Sequence, residues 1–251
     1  MTSTHHGPAS LTPIASQLWG SEHDLFLPGG VHFRGRMTVL RLGDGSLVLH
    51  SPIPIDDQLA RSLAELGPVK HLIAPNAFHH VHLTKVLERY PQATLHGPRA
   101  LAAKRTDLAF SDLDSRTASS WTSELQPLLH AGAPKFDEVV FLHAATRTLL
   151  VTDYFFNIHE CRGWLTPWVL RTSGAYKKFA QSRWWRWIVQ DKVRARESAE
   201  QMLAWPFERI IPAHGEIVTE RAHERAERAL SWLIGSAPKA LPRPADPHTP
   251  T

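Results

Sequence analysis

Three short segments hold the side chains of this chain that could do chemistry. They are residues 74–83 (APNAFHHVHL), 148–156 (TLLVTDYFF) and 209–216 (RIIPAHGE). Each joins an apolar, partly β-branched run to a histidine or an aspartate. Imidazoles and a carboxylate delivered by the ends of buried strands make a metal centre or an acid–base centre. The segments supply His79, His80, Asp153 and His214 as candidates.

Each candidate has a plainer alternative. Asp153 closes the apolar run 148–152, and a carboxylate there needs a charged or hydrogen-bonded partner; a metal would serve, and so would a cap on the next turn. His214 precedes Gly215, which permits a tight turn beside a ligand. His79 and His80 are adjacent and converge on one point only in a loop or at a helix start; otherwise one of them bonds a backbone carbonyl. His50, Asn76, His82, Glu138, His143 and Asn157 are candidates for outer hydrogen-bond partners or substrate contacts. Glu138 and His143 are an odd number of residues apart, so at most one faces the centre from a strand. His71 and His96 read as structural.

The elements that must position these groups alternate between strand and helix. Residues 36–42 and 47–50 flank the turn Gly43-Asp44-Gly45 and read as a hairpin. Residues 56–66 read as a helix with Leu59, Leu63 and Leu66 on one face. Strands are predicted at 69–74, 93–96, 126–130, 138–143, 148–152 and 208–212, with a turn at 144–147. Further helices are predicted at 80–89, 98–104, 191–204 and 220–233. Hairpins together with alternating helices imply mixed sheets with helices outside. Residues 1–12 and 236–251 are rich in Pro, Ala, Ser and Thr and are expected to be disordered tails, which leaves one domain over 13–235.

Residues 164–190 stand apart. They hold Trp164, Trp168, Trp184, Trp185 and Trp187 among Arg171, Lys177, Lys178, Arg183 and Arg186. One reading is an irregular insertion whose rings pack on the domain while the basic heads stay in solvent. The others are a lid over the site or a contact with a membrane surface.

Composition narrows the class. Among 251 residues, 43% are hydrophobic and 21% charged, which suits a globular core. A net charge of +4 is weak support for a nucleic-acid partner, and none is expected. The one cysteine, Cys161, excludes an intrachain disulfide, suits a reducing compartment and reads as an idle thiol. No run approaches the ~18 apolar residues that span a bilayer. The first residues lack a basic and then apolar leader, so a cytoplasmic location is expected. G-x-S-x-G, P-loop, C-x-x-C and dinucleotide glycine patterns are missing.

In order and spacing, these motifs resemble the metallo-β-lactamase-fold hydrolase superfamily from about residue 18 to 233. The corresponding pieces are Ala74-Pro75-Asn76-Ala77-Phe78-His79-His80, Thr152-Asp153 and Ala213-His214-Gly215. The P-N-x-x-H-H loop, the S-P-I-P turn at Ser51–Pro54, a segment like 138–143, the T-L-L-x-T-D run and the late A-H-G-E look most like one branch, the domain-of-unknown-function group DUF4336. The resemblance implies an α/β four-layer αββα sandwich, with two mixed β-sheets flanked by helices. It also implies a reduced centre. Pro75 and Ala77 fall where two metal-binding histidines of the superfamily belong, and a third is lost near Pro134. His79, His80, Asp153 and His214 fall on the second metal site.

The expected function is therefore a metal-dependent hydrolase with a mononuclear site. One divalent transition metal, Zn²⁺ before Fe²⁺, would be held by His80, His214 and Asp153, with His79 as ligand or base. Activated water would attack an ester, thioester, amide or phosphoester of a small-molecule substrate that the motifs do not identify. The alternative is a non-catalytic binding or scaffold protein that keeps the fold with a degenerate site. A peripheral membrane contact through the Trp-rich segment is compatible with either.

Overall fold

A computed structural model describes residues 10–27, 29–113 and 121–235. The tails expected from the sequence lie outside these residues except for Ser10, Leu11 and Thr12. Thr12 opens strand β1 (Thr12–Ala15), which pairs antiparallel with β2 (Leu18–Leu27). Neither strand is among those the sequence predicts. β2 pairs along its whole length with β3 (Val31–Arg41) in a long hairpin. The next hairpin joins β3 to β4 (Leu47–His50) across the expected glycine turn.

Helix α1 (Asp57–Leu66) follows, and its start is encoded locally. Asp56 caps it by accepting the Leu59 N–H at 2.7 Å, while Leu59 and Leu63 bury one face. The chain continues through β5 (Val69–Ile73), α2 (Leu83–Arg89), β6 (Thr94–Gly97), α3 (Arg99–Lys104) and the short β7 (Ser111–Asp112). These strands form a mixed sheet in the order β1-β2-β3-β4-β5-β6-β7.

A second sheet is built from β8 (Leu125–Leu129), β9 (Val139–His143), β10 (Thr148–Val151) and β11 (Arg209–Pro212), in the order β11-β10-β9-β8. Between β10 and β11 come α4 (Thr166–Ser173), α5 (Trp185–Ile188) and α6 (Lys192–Leu203), and α7 (Ala222–Ile234) closes the described chain. Pairing is parallel for β4 with β5 and for β10 with β11, and antiparallel for β9 with β10.

Strand alternation sorts the side chains into layers. Met37, Val39, Leu47 and Leu49 pack outward with Leu59, Leu63, Leu83 and Leu101 of the first three helices. Leu40, Val48, Phe141, Leu150 and Ile211 meet between the sheets. Val140, Leu142, Leu149 and Ile210 pack outward against Ala199, Met202, Ala226 and Leu230 of α6 and α7. The result is two mixed sheets flanked by helices, the expected αββα sandwich. No helix among the described residues is long and apolar enough to cross a membrane.

One buried histidine of this core has a measurable consequence. His130 lies against the rings of Tyr154 and Trp185, at 4.2 and 5.3 Å between centroids. Its Nε2 has no partner among the described residues, and burial lowers its pKa to about 3. The unfolded chain takes up this proton near pH ~6.5. The depressed folded value therefore contributes stability above that pH, and the contribution drains away as pH falls toward the folded value. The expected slope from His130 is about 1 kcal/mol per pH unit across that window. Urea unfolding of wild type and His130→Gln between pH 7 and 5 checks it, and identical slopes in the two proteins would contradict the assignment.

Candidate metal centre

The centre forms at the C-terminal ends of β5, β10 and β11. β5 leads into the loop that carries Asn76 and His79, β10 into Thr152 and Asp153, and β11 into Ala213 and His214. One imidazole nitrogen each of His79 and His214 and one carboxylate oxygen of Asp153 lie within 4.8 Å of one another. Among the described residues this is the cluster with metal-ligand chemistry. His79 Nε2 is 3.2 Å from Asp153 Oδ2, and His214 Nε2 is 3.4 Å from Asp153 Oδ1.

Each member is oriented from behind. His214 Nδ1 lies 2.9 Å from the carbonyl oxygen of Arg34 on β3. A carbonyl only accepts, so Nδ1 carries a proton, and in the neutral ring the Nε2 lone pair faces the centre. His79 Nδ1 is 2.7 Å from Ser51 Oγ, just beyond β4, where Ser51 holds a left-handed backbone at φ 56°. The Asn76 amide donates to Asp153 Oδ2 at 2.9 Å, and its oxygen accepts the N–H groups of Phe78 and His79. Asn76 thus fixes the carboxylate and the turn that presents His79. Phe156 stacks on His214 with 10° between the ring planes. At Gly215, φ is 98° and an added Cβ would sit 2.2 Å from the Asn157 carbonyl oxygen, so the turn requires glycine.

Under Asp153 lies a fully buried carboxylate. Glu138 Oε1 accepts the N–H groups of Thr152 and Tyr154 at 2.7 and 3.1 Å, and Oε2 accepts that of Asp153 at 3.1 Å. Burial, with the Asp153 charge, pushes the Glu138 carboxyl up, while the Thr152 and Tyr154 donors pull it back. Burial also pushes Asp153 up, but the charges and hydrogen bonds of His79 and His214 outweigh it and hold this carboxyl well below the usual range. Burial lowers His214, and the Asp153 hydrogen bond and charge more than reverse it, so its pKa is raised.

The remaining candidates separate. His80, expected to bind the metal, is outside the cluster. Its Nδ1 lies 3.3 Å from the Arg105 guanidinium, and burial with Lys104 and Arg105 lowers its pKa. The Asn76 turn brings His79 inward and leaves the next residue on the outer side. His143 is at the far end of its strand, because β9 runs antiparallel to β10 and pairs His143 with Thr148. His82 precedes α2 and meets His23 edge-on at 5.4 Å. His50 is buried edge-on against Phe141 next to Ser51, with Nε2 unpartnered among the described residues and its pKa lowered by burial to about 3. Asn157 braces the turn at His214: its N–H bonds the His214 carbonyl and its amide the Glu216 carbonyl. His71 and His96 pair with each other at 3.1 Å. Burial pushes the Cys161 thiol up.

The Trp-rich segment contains helices α4 and α5 where an irregular insertion was expected. Only Trp185 packs inside, and its Nε1 donates to the Asp153 carbonyl at 2.7 Å. Trp164, Trp168, Trp184 and Trp187 are exposed, contrary to the reading that the rings pack on the domain. Sequence reasoning also missed Phe156, the Arg34 carbonyl and the support from Trp185. The Arg34 contact runs through backbone, which no residue type signals.

The fold has clear relatives. DIM-1 metallo-β-lactamase exposed to ceftazidime superposes with a TM-score of 0.63 at 9% identity, covering 91% of this chain and 99% of that one. The metallo-β-lactamase FIM-1 from Pseudomonas aeruginosa, in its mono-zinc form, gives 0.59 at 15% identity, covering 90% and 96%. The metal-soaked flavodiiron core of Flv1 from Synechocystis sp. PCC6803 gives 0.62 at 15% identity, covering 90% of this chain and 61% of that one. At such identities the likeness is one of fold. No curated protein matches the chain in sequence. Residues 17–167 match the profile of a family described as a domain of unknown function, DUF4336.

Proposed function

The chain belongs to the DUF4336 family, and we propose that it uses its metallo-β-lactamase scaffold as a mononuclear, metal-dependent hydrolase. The observation that carries this reading is the convergence of His79, Asp153 and His214. Two imidazoles and a carboxylate are the donor set of catalytic zinc sites, which leave a coordination position for water or substrate. Ala77 is buried and apolar where the superfamily has a second set of ligands, so the donors suffice for one ion.

The residues fit an ion. His79 Nε2, His214 Nε2 and an Asp153 oxygen would hold it, with Zn²⁺ or Fe²⁺ suited to this mixture. Such an ion supplies a water of lowered pKa and polarises the oxygen of the bond under attack. The protein supplies position. Ser51 and the Arg34 carbonyl hold the far nitrogens of the two imidazoles, and Asn76 and Trp185 hold Asp153 from its side-chain and backbone sides. His79 is a ligand rather than a base in this scheme, because both of its ring nitrogens are committed. The substrate would be an ester, thioester, amide or phosphoester.

Turnover of p-nitrophenyl esters, a thioester, an anilide and bis-p-nitrophenyl phosphate by zinc- or iron-loaded protein tests the reading. Hydrolysis of at least one class is expected, suppressed by a chelator and lost in His214→Ala. Tight metal binding with no turnover of any class would give the non-catalytic binding role instead.

A further inference from the structure

We infer that the tip of the β2–β3 hairpin and the start of α4 form one membrane-docking face that seats this protein on anionic lipid. The hairpin tip presents Phe26 and Leu27, 61% and 50% exposed. The start of α4 is fastened to that tip. Thr166 Oγ1 accepts the His32 N–H at 2.7 Å, and Leu165 lies against Gly29. At Gly30, where φ is 77°, an added Cβ would sit 2.2 Å from Trp164 Nε1. Trp164 precedes α4 and Trp168 lies in its first turn; they are 79% and 64% exposed. Four large apolar side chains are thus displayed from two elements joined by side-chain contacts with the hairpin backbone. Exposed apolar groups gathered in one place mark a contact surface rather than scatter.

Charge identifies the partner. Residues 157–190 hold Arg162, Arg171, Lys177, Lys178, Arg183 and Arg186 against a single acid, Glu160. The chain's net charge is only +4, so its positive balance resides in this segment. Arg162 is two residues before Trp164, and Arg171 follows Trp168 at helical spacing, its guanidinium 3.9 Å from the Tyr176 ring centre. Indole rings beside a basic rim are the composition that settles at the headgroup level of an anionic bilayer. A lid would need these rings turned onto the metal-binding cluster, and only Trp185 of the segment's tryptophans reaches it. A contact through a second copy of this same face would bring like charges together.

Co-sedimentation of the full chain with vesicles tests this independently of any metal or reaction. Binding is expected to phosphatidylcholine vesicles containing phosphatidylglycerol, weakened at high salt, and not to phosphatidylcholine alone. Trp164→Ser/Trp168→Ser and Arg162→Gln/Lys177→Gln/Lys178→Gln should each weaken it about tenfold or more with an unchanged circular dichroism spectrum. No sedimentation with phosphatidylglycerol vesicles, or undiminished binding by the folded Trp variant, would overturn the inference. So would a dimer by light scattering that the same Trp substitutions dissolve, which would make this face a self-interface.

Discussion

Replacing Glu138 with alanine is expected to cost about 3–5 kcal/mol of stability and lower the melting temperature by about 10 °C or more. The carboxylate is completely buried and accepts the backbone N–H groups of Thr152, Asp153 and Tyr154. Truncation leaves those three donors in the core without acceptors and opens a cavity beneath Asp153. Glu138→Gln keeps an acceptor for Thr152 and Tyr154 but sets an amide N–H₂ against the Asp153 N–H, so an intermediate loss is expected. Thermal and urea unfolding read both variants. An alanine variant within about 1 kcal/mol of wild type would show that this network contributes little.

The second large effect concerns the centre itself. Asp153→Ala removes the carboxylate that both imidazoles face, at 3.2 and 3.4 Å. Loss of an outer support of a metal ligand typically lowers affinity about 10–100-fold, and loss of a ligand should exceed ~100-fold. Competition with a fluorescent zinc chelator measures it. His80→Ala is the paired control, because His80 lies against Arg105 and outside the cluster. It should keep wild-type affinity. Equal losses in the two variants would return His80 to the ligand set and displace His79.

The two histidines also show where the sequence stops being informative. The motif order pointed to the loop after β5, to Asp153 and to His214, because strand ends and a turn glycine leave a clear pattern. Which of two adjacent imidazoles turns inward depends on the turn that the Asn76 side chain makes with the Phe78 and His79 N–H groups. That turn is tertiary detail, as is the Ser51 contact with His79. Glu138 and His143 were legible as lying on opposite faces of one strand, with at most one meeting the centre, but not which; antiparallel pairing with β10 sets His143 opposite Thr148, away from it. β2 escaped notice because Gly20, Ser21, Glu22 and Asp24 are poor strand formers, and its ten residues are held by pairing with β3. The layered core was legible because short apolar runs recur in most of the other strands.

Elemental analysis of untagged protein, purified without chelator and dialysed, bears most directly on the claim that His79, Asp153 and His214 form a one-metal centre. About one equivalent of zinc or iron per chain is expected, with uptake abolished in a His79→Ala/His214→Ala variant that still folds. Protein with no zinc, iron or manganese and no uptake on soaking would contradict the claim, as would two tightly held ions per chain.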